Sequence, residues 1–182
     1  MRCSALVVSA LAIVLSAAPL EAQVGPRIHN GFWIGFGGGI GWNSDNASVG
    51  PTGTGGAGYL RMGATLSERF LIGGETLAWG HPENGNTYFR GNLTADILWY
   101  ASRGLFLKAG LGYANVATKS GSNTVDNQGG FGSTIGLGYD ILAGKKVFIT
   151  VNTDWMSQVF ESGSNSTTSN NLFLFTVGLT WH

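Results

Sequence analysis

Charge is scarce in this sequence. Ten basic and ten acidic side chains in 182 residues cancel to a formal net charge of zero, and charged residues make up 11% of the chain, against about a quarter of an average soluble domain. That leaves no basic field to attract nucleic acid and no acidic tail. Cysteine is scarcer still. The one Cys, Cys3, precedes the first apolar run, whereas a lipidated Cys would follow it, so no disulfide framework or thiol chemistry is expected in the remainder. Histidine occurs three times, at His29, His81 and His182, with no spacing of the H-x-x-x-H kind, so no metal site and no cofactor is expected.

Long apolar runs are missing as well. The main one, Ala5 to Leu15, falls short of the roughly 20 residues a membrane-spanning helix needs. It follows Met1 and Arg2, a short basic start, and precedes the small residues Ser16 to Ala22. This order is that of a signal peptide. Residues 1–22 are therefore expected to be cleaved, residues 23–30 to form a periplasmic leader, and residues 31–182 to form a single domain.

Glycine is abundant, with 30 residues, and so is strict alternation. From Gly31 to Asn43, Phe32, Ile34, Phe36, Ile40 and Trp42 oppose Trp33, Gly35, Gly37, Gly39 and Gly41. The same period of two, which is the strand period, recurs over Tyr88 to Tyr100, Leu105 to Val116, Phe131 to Ile141, Val147 to Trp155 and Leu172 to Trp181. Two further strands, Ala57 to Leu66 and Phe70 to Gly80, alternate less cleanly, and Arg61 and Glu75 decide which of their faces is taken as the inner one. The connections alternate in length. Tight turns at Leu66 to Arg69, Ala101 to Gly104 and Leu142 to Lys146 contrast with longer Ser/Asn/Gly/Thr-rich segments at Asn43 to Gly56, His81 to Thr87, Ala117 to Gly130 and Met156 to Asn171. Eight strands with this asymmetry predict an all-β, eight-stranded antiparallel up-and-down transmembrane β-barrel, its short turns periplasmic and its long loops external.

The alternation alone would also suit a soluble barrel with its apolar face inside. Charge placement decides for the membrane, since a charged side chain facing lipid near the midplane costs about 2–4 kcal/mol. None falls on the apolar faces. Arg61, Glu75, Arg90, Asp96, Lys108, Asp140 and Asp154 all fall on the opposite, inward face, where they are expected to neutralise one another. Aromatics gather at strand ends, as membrane interfaces favour: Phe32, Phe70, Trp99, Tyr139 and Trp181 toward one rim, Trp42, Phe89, Tyr113, Phe131, Trp155 and Phe173 toward the other. The glycine run Gly35 to Gly41 lacks the G-x-G-x-x-G register and no helix follows it, so it is not a nucleotide loop.

The segments FLIGGE (Phe70 to Glu75), GLFLKAGLGY (Gly104 to Tyr113), GLGYDI (Gly136 to Ile141) and the closing FLFTVGLTW (Phe173 to Trp181), in this order and spacing, resemble the outer-membrane β-barrel domain family that includes the small OmpA-like and OmpX-like barrels. The resemblance covers Gly31 to His182. It implies an integral outer-membrane barrel, often without catalytic activity. It also implies that the alternate row Phe173, Phe175, Val177, Leu179 and Trp181 is the C-terminal signal for the barrel-assembly machinery. One departure is His182 after Trp181, where the family usually ends on an aromatic.

The leading functional expectation is a non-enzymatic outer-membrane protein serving envelope integrity or surface interaction through its external loops, with the lipid bilayer and the assembly machinery as partners and the external partner unknown. A narrow channel for ions or small apolar molecules is the first alternative. A lipid-modifying barrel enzyme is the second; its only loop candidates are His81 with Glu83 and Ser157 with Glu161, and the His-x-Ser pattern of barrel deacylases is absent.

Overall fold

A computed structural model describes residues 29–43, 52–121, 123–162 and 166–182. The expected signal peptide and most of the expected leader lie outside the described residues, as does much of the segment between Asn43 and Gly56. Eight strands follow in order: β1 (Phe32–Asn43), β2 (Gly53–Thr65), β3 (Phe70–Glu83), β4 (Asn86–Tyr100), β5 (Leu105–Ser120), β6 (Asn123–Leu142), β7 (Val147–Ser162) and β8 (Ser166–Trp181). Each pairs antiparallel with its chain neighbours, and β8 pairs with β1 from Ile34↔Trp181 to Asn43↔Leu172, which closes the barrel. The expected fold is the observed one.

The strands are longer than alternation predicts, all at the same end. His81 to Thr87, read as a loop, is a continuous ladder closed by Asn84 and Gly85 at φ 51 and 80, the Asn-Gly pair that a type I′ hairpin turn requires. Ala117 to Gly130 and Met156 to Asn171 likewise continue as paired strands to Ser120↔Asn123 and Ser162↔Ser166. The reason is environmental. Over residues 81–87, 117–121 and 123–127 the side chains on both sheet faces are exposed or half-buried, so alternation vanishes while the backbone ladder persists, whereas on β7 Met156, Gln158 and Phe160 stay buried. In this upper part Asn123 to Gly130 of β6 pairs only with β5, because β6–β7 pairing stops at Phe131↔Val159.

Alternation holds elsewhere and orients every strand. Phe32, Phe36, Leu60, Ile72, Leu93, Ile97, Leu111 and Ile135 are exposed, whereas Trp33, Tyr59, Leu71, Leu77, Trp79, Leu98, Phe106 and Phe148 are buried in the lumen. The sixteen described charged side chains fall into three sets. Arg61, Glu75, Arg90, Asp96, Lys108, Asp140 and Asp154 are buried. Glu68, Arg69, Arg103, Lys145 and Lys146 are exposed at the tight-turn end, and Glu83, Lys119, Asp126 and Glu161 are exposed at the hairpin end. No charge lies on the belt between.

That belt has membrane dimensions. The ten steps from Phe89 to Trp99 on β4 span about 34 Å along a strand and about 26 Å once tilted by ~40°, close to the ~25 Å apolar band of outer-membrane barrels. Register levels the aromatics into girdles. Trp42, Phe173 and Trp155 are successive partners across β1, β8 and β7, with the Trp42 and Phe173 rings 6.0 Å apart, and Tyr113 pairs with Phe131. At the other rim Phe70 pairs with Trp99.

Ile135 and Val125 lie on the same strand with the same 64% exposure, one on the belt and one above it. Ile135→Lys is expected to destabilise the barrel by about 2–4 kcal/mol in liposome refolding titrations, while Val125→Lys stays within about 0.5 kcal/mol. Equal losses would show that the belt does not face lipid.

Candidate functional site

Pairing places the inward charges at defined heights. Arg61 and Glu75 are direct cross-strand partners on β2 and β3, and Asp154 on β7 stands opposite Gly136 on β6, itself opposite Lys108 on β5. Lys108 reaches across the lumen in both directions, pairing with Glu75 on one side and with Asp154 at 2.9 Å on the other. Room for this comes from Gly136, where a Cβ would stand 3.1 Å from Lys108 Cε. An alanine there would push on the ion cluster itself.

Arg61 is held mainly by ring faces. Its guanidinium carbon lies 5.0 Å from the Tyr59 and Phe106 ring centres and 6.0 Å from that of Trp33, while Nη1 and Nη2 donate to Asn152 Oδ1 and Thr180 Oγ1 at 3.5 and 3.3 Å. Stacked guanidinium is the less costly buried cation, because it is weakly hydrated and planar. Arg90 sits higher, its guanidinium carbon 5.9 Å from the Trp79 ring centre. Asp140 lies lowest. Tyr100 donates to its Oδ2 at 2.6 Å and Thr150 to its Oδ1 at 2.5 Å. Asp96 is buried beside Gly110. The seven side chains thus form a middle layer around Lys108, with Arg90 above and Asp140 below.

Apolar and amide groups fill the levels on either side. Trp33, Leu71, Leu98, Tyr100 and Phe106 pack below the charges, and Tyr59, Leu77, Trp79, Met156, Leu172 and Leu174 above them. Nearer the hairpins, Gln158 Nε2 donates to Asn92 Oδ1 at 2.8 Å and to Gly91 O at 2.9 Å. At mid-height the lumen is occupied by side chains.

The loop candidates for hydrolysis do not assemble. His81 bonds through Nδ1 to the Thr54 carbonyl at 2.8 Å and stacks on Trp79. Ser157 and Glu161 are four residues apart on one extended strand, about 13 Å, beyond hydrogen-bond reach.

The tight-turn end holds a group that sequence spacing hides. His29, expected in the leader, is buried in the barrel mouth, its ring 4.1 Å from that of Tyr100 and 4.5 Å from that of His182. His29 Nδ1 meets the Glu68 carbonyl at 3.1 Å. His182 stands edge-on to Phe148 and is anchored by its amide to the Lys146 carbonyl at 3.1 Å. Burial, and then His29 beside it, push the His182 imidazole down to about 3, so that it is neutral at physiological pH. Only closure of the barrel brings the residue before β1 next to the residue after β8.

The outward row of β8, Phe173, Phe175, Val177, Leu179 and Trp181, lies beside β1, and Trp181 rests 5.5 Å from the Phe36 ring.

No family model matches the sequence and no curated protein matches it. Solved structures do match. Neisserial surface protein A superposes with a TM-score of 0.65 at 11% identity, over 84% of this chain and 97% of its own. Ail, the attachment invasion locus protein of Yersinia pestis, superposes with a TM-score of 0.53 at 10% identity, over 84% of this chain and 99% of its own. The chain has the fold of the small eight-stranded outer-membrane barrels, as the resemblance in its sequence implies.

Removing one member of a buried ion cluster leaves the others uncompensated. Lys108→Met is expected to cost about 3–5 kcal/mol in refolding titrations. Adding Glu75→Gln and Asp154→Asn to it should recover most of that loss, and a triple variant as weak as the single one would show that the cluster's charge is not what Lys108 balances.

Proposed function

We propose that this chain is an integral outer-membrane protein without enzymatic activity, whose polar hairpins engage partners at the cell surface and whose filled lumen serves as a rigid support. The observation that carries this reading is the continuation of the strands beyond the apolar belt. β5 with β6 and β7 with β8 project as paired, Ser/Thr/Asn-rich hairpins, a rigid surface offered to water by a scaffold whose belt supplies the anchorage. Asn115 donates to Asn127 Oδ1 at 2.6 Å, and Gln128 donates to the Glu161 carbonyl at 3.1 Å, bridging the two hairpins.

The fold relatives are consistent with this role, since one is named a surface protein and the other an attachment and invasion protein, also crystallised with a heparin analogue. The described charges of these hairpins argue against a polyanionic partner here. Lys119 stands alone against Glu83, Asp126 and Glu161, so recognition rests on hydrogen bonds and shape. The channel reading is less favoured, because Lys108 and its partners occupy the lumen at mid-height. The alternate apolar row of β8 is, in this reading, the segment the assembly machinery recognises.

Two measurements test the proposal. Replacing residues 116–127 by an Asn-Gly turn should keep heat-modifiable gel mobility while lowering binding of intact cells to a host-cell or bacterial surface by about tenfold or more (about 1.4 kcal/mol). Planar bilayers with the purified protein should show no steady conductance, and an ohmic current that changes with Lys108→Met would replace this reading by a channel. Trp181→Ala should reduce the amount recovered in outer-membrane fractions while leaving detergent refolding intact; unchanged recovery would remove the assembly role.

A further inference from the structure

The cluster at the tight-turn end of the barrel has a chemistry that neither the fold nor the surface role requires. We propose that His29, Asp140 and His182 form the ligand set of a divalent transition-metal site of the zinc class. One ligand atom from each lies within 4.8 Å of the other two. A tetrahedral ion bound at about 2.0–2.1 Å holds its ligands about 3.3 Å apart, so the three need to close by no more than about 1.5 Å. His29 precedes β1 and His182 follows β8; with the His182 amide kept on Lys146, the closure falls on the two side chains and on the segment before β1, which strains no strand.

The surroundings match what metal ligands need. Glu68 O can only accept, so the hydrogen of the His29 ring resides on Nδ1, and Nε2 presents a lone pair. A backbone carbonyl on the far nitrogen is the usual outer-sphere support of a ligating imidazole. Asp140 is fixed through both oxygens, by Tyr100 and Thr150, and each oxygen keeps a second lone pair. Both ring nitrogens of His182 are buried and have no hydrogen-bond partner among the described residues, and a metal bond would satisfy the one that carries the lone pair. Two neutral imidazoles and one carboxylate select zinc-like ions over calcium or magnesium, which take oxygen ligands. The fourth position remains for water. Such an ion would tie the segment entering the barrel to the one leaving it, across the seam between β1 and β8.

The test uses the refolded full barrel in detergent, carrying an affinity tag without histidine. Co2+ is expected to bind at one ion per chain with the intense ligand-field absorption of tetrahedral coordination, and Zn2+ to displace it. Tyr100→Phe, which removes the hydrogen bond to Asp140 and keeps the ring beside His29, should weaken Co2+ binding about 10- to 100-fold, and His29→Ala or His182→Ala by more. His81→Ala, at the opposite end, should bind as the unsubstituted protein does. Zinc-edge X-ray absorption on the unsubstituted protein needs no variant to fold and should show two imidazoles with oxygen. Absence of stoichiometric binding, full binding by folded His182→Ala, loss of binding in His81→Ala, or a coordination shell without imidazole would each overturn the site.

Discussion

Closure of the backbone ladder is the constraint on which this molecule depends. In hydrocarbon an unpaired amide or carbonyl costs several kcal/mol, so a sheet can cross a membrane only if its first strand meets its last. Here β1 pairs with β2 on one side and with β8 on the other. Eight strands make a lumen just wide enough for side chains, and the interior composition follows from that width. Bulky Trp33, Tyr59, Trp79 and Phe106 need glycine across from them, and Gly37, Gly41 and Gly138 stand where a Cβ would overlap Tyr59, Trp79 and Phe106.

A narrow lumen also governs the charges. Lys108 touches carboxylates from two strands because no point inside is far from any wall, and Arg61 leans on three rings for the same reason. A well-packed apolar interior would be as stable as a paired one, or more so. What the polar interior does supply is a face that cannot be turned outward. With Lys108, Arg61 and Asp154 on one side of their strands, a one-residue slip would present them to lipid.

Much of this was legible from residue order. The period of two on β4, where Phe89, Leu93, Ile97 and Trp99 oppose Arg90, Asn92, Thr94 and Asp96, defines both faces without further information, and five of the seven inward charges could be named from parity, whereas Arg61 and Glu75 themselves set the faces of their weakly alternating strands. The lengths of the hairpins could not. Thr118, Thr124 and Thr168 sit in paired strands, yet where both faces meet water nothing in a polar sequence separates strand from loop. The cluster at the tight-turn end was hidden for a different reason. His29, Asp140 and His182 belong to no local motif, and their proximity is a property of the closed ring alone.

The upper limit of pairing carries a consequence for where the bilayer surface lies. Among the described residues β6 loses its second neighbour above Phe131↔Val159, and β3 loses its own above Gly56↔Gly80. Backbone groups beyond those points have an edge with no neighbouring strand, which water or a polar side chain must satisfy. Lipid therefore cannot rise past these two registers. Both meet an aromatic of the upper girdle, Phe131 itself in one case and Phe89, the partner of Gly80 on β4, in the other. The point where the ladder comes apart is in effect a waterline drawn by the main chain, and it coincides with the one drawn by the side chains.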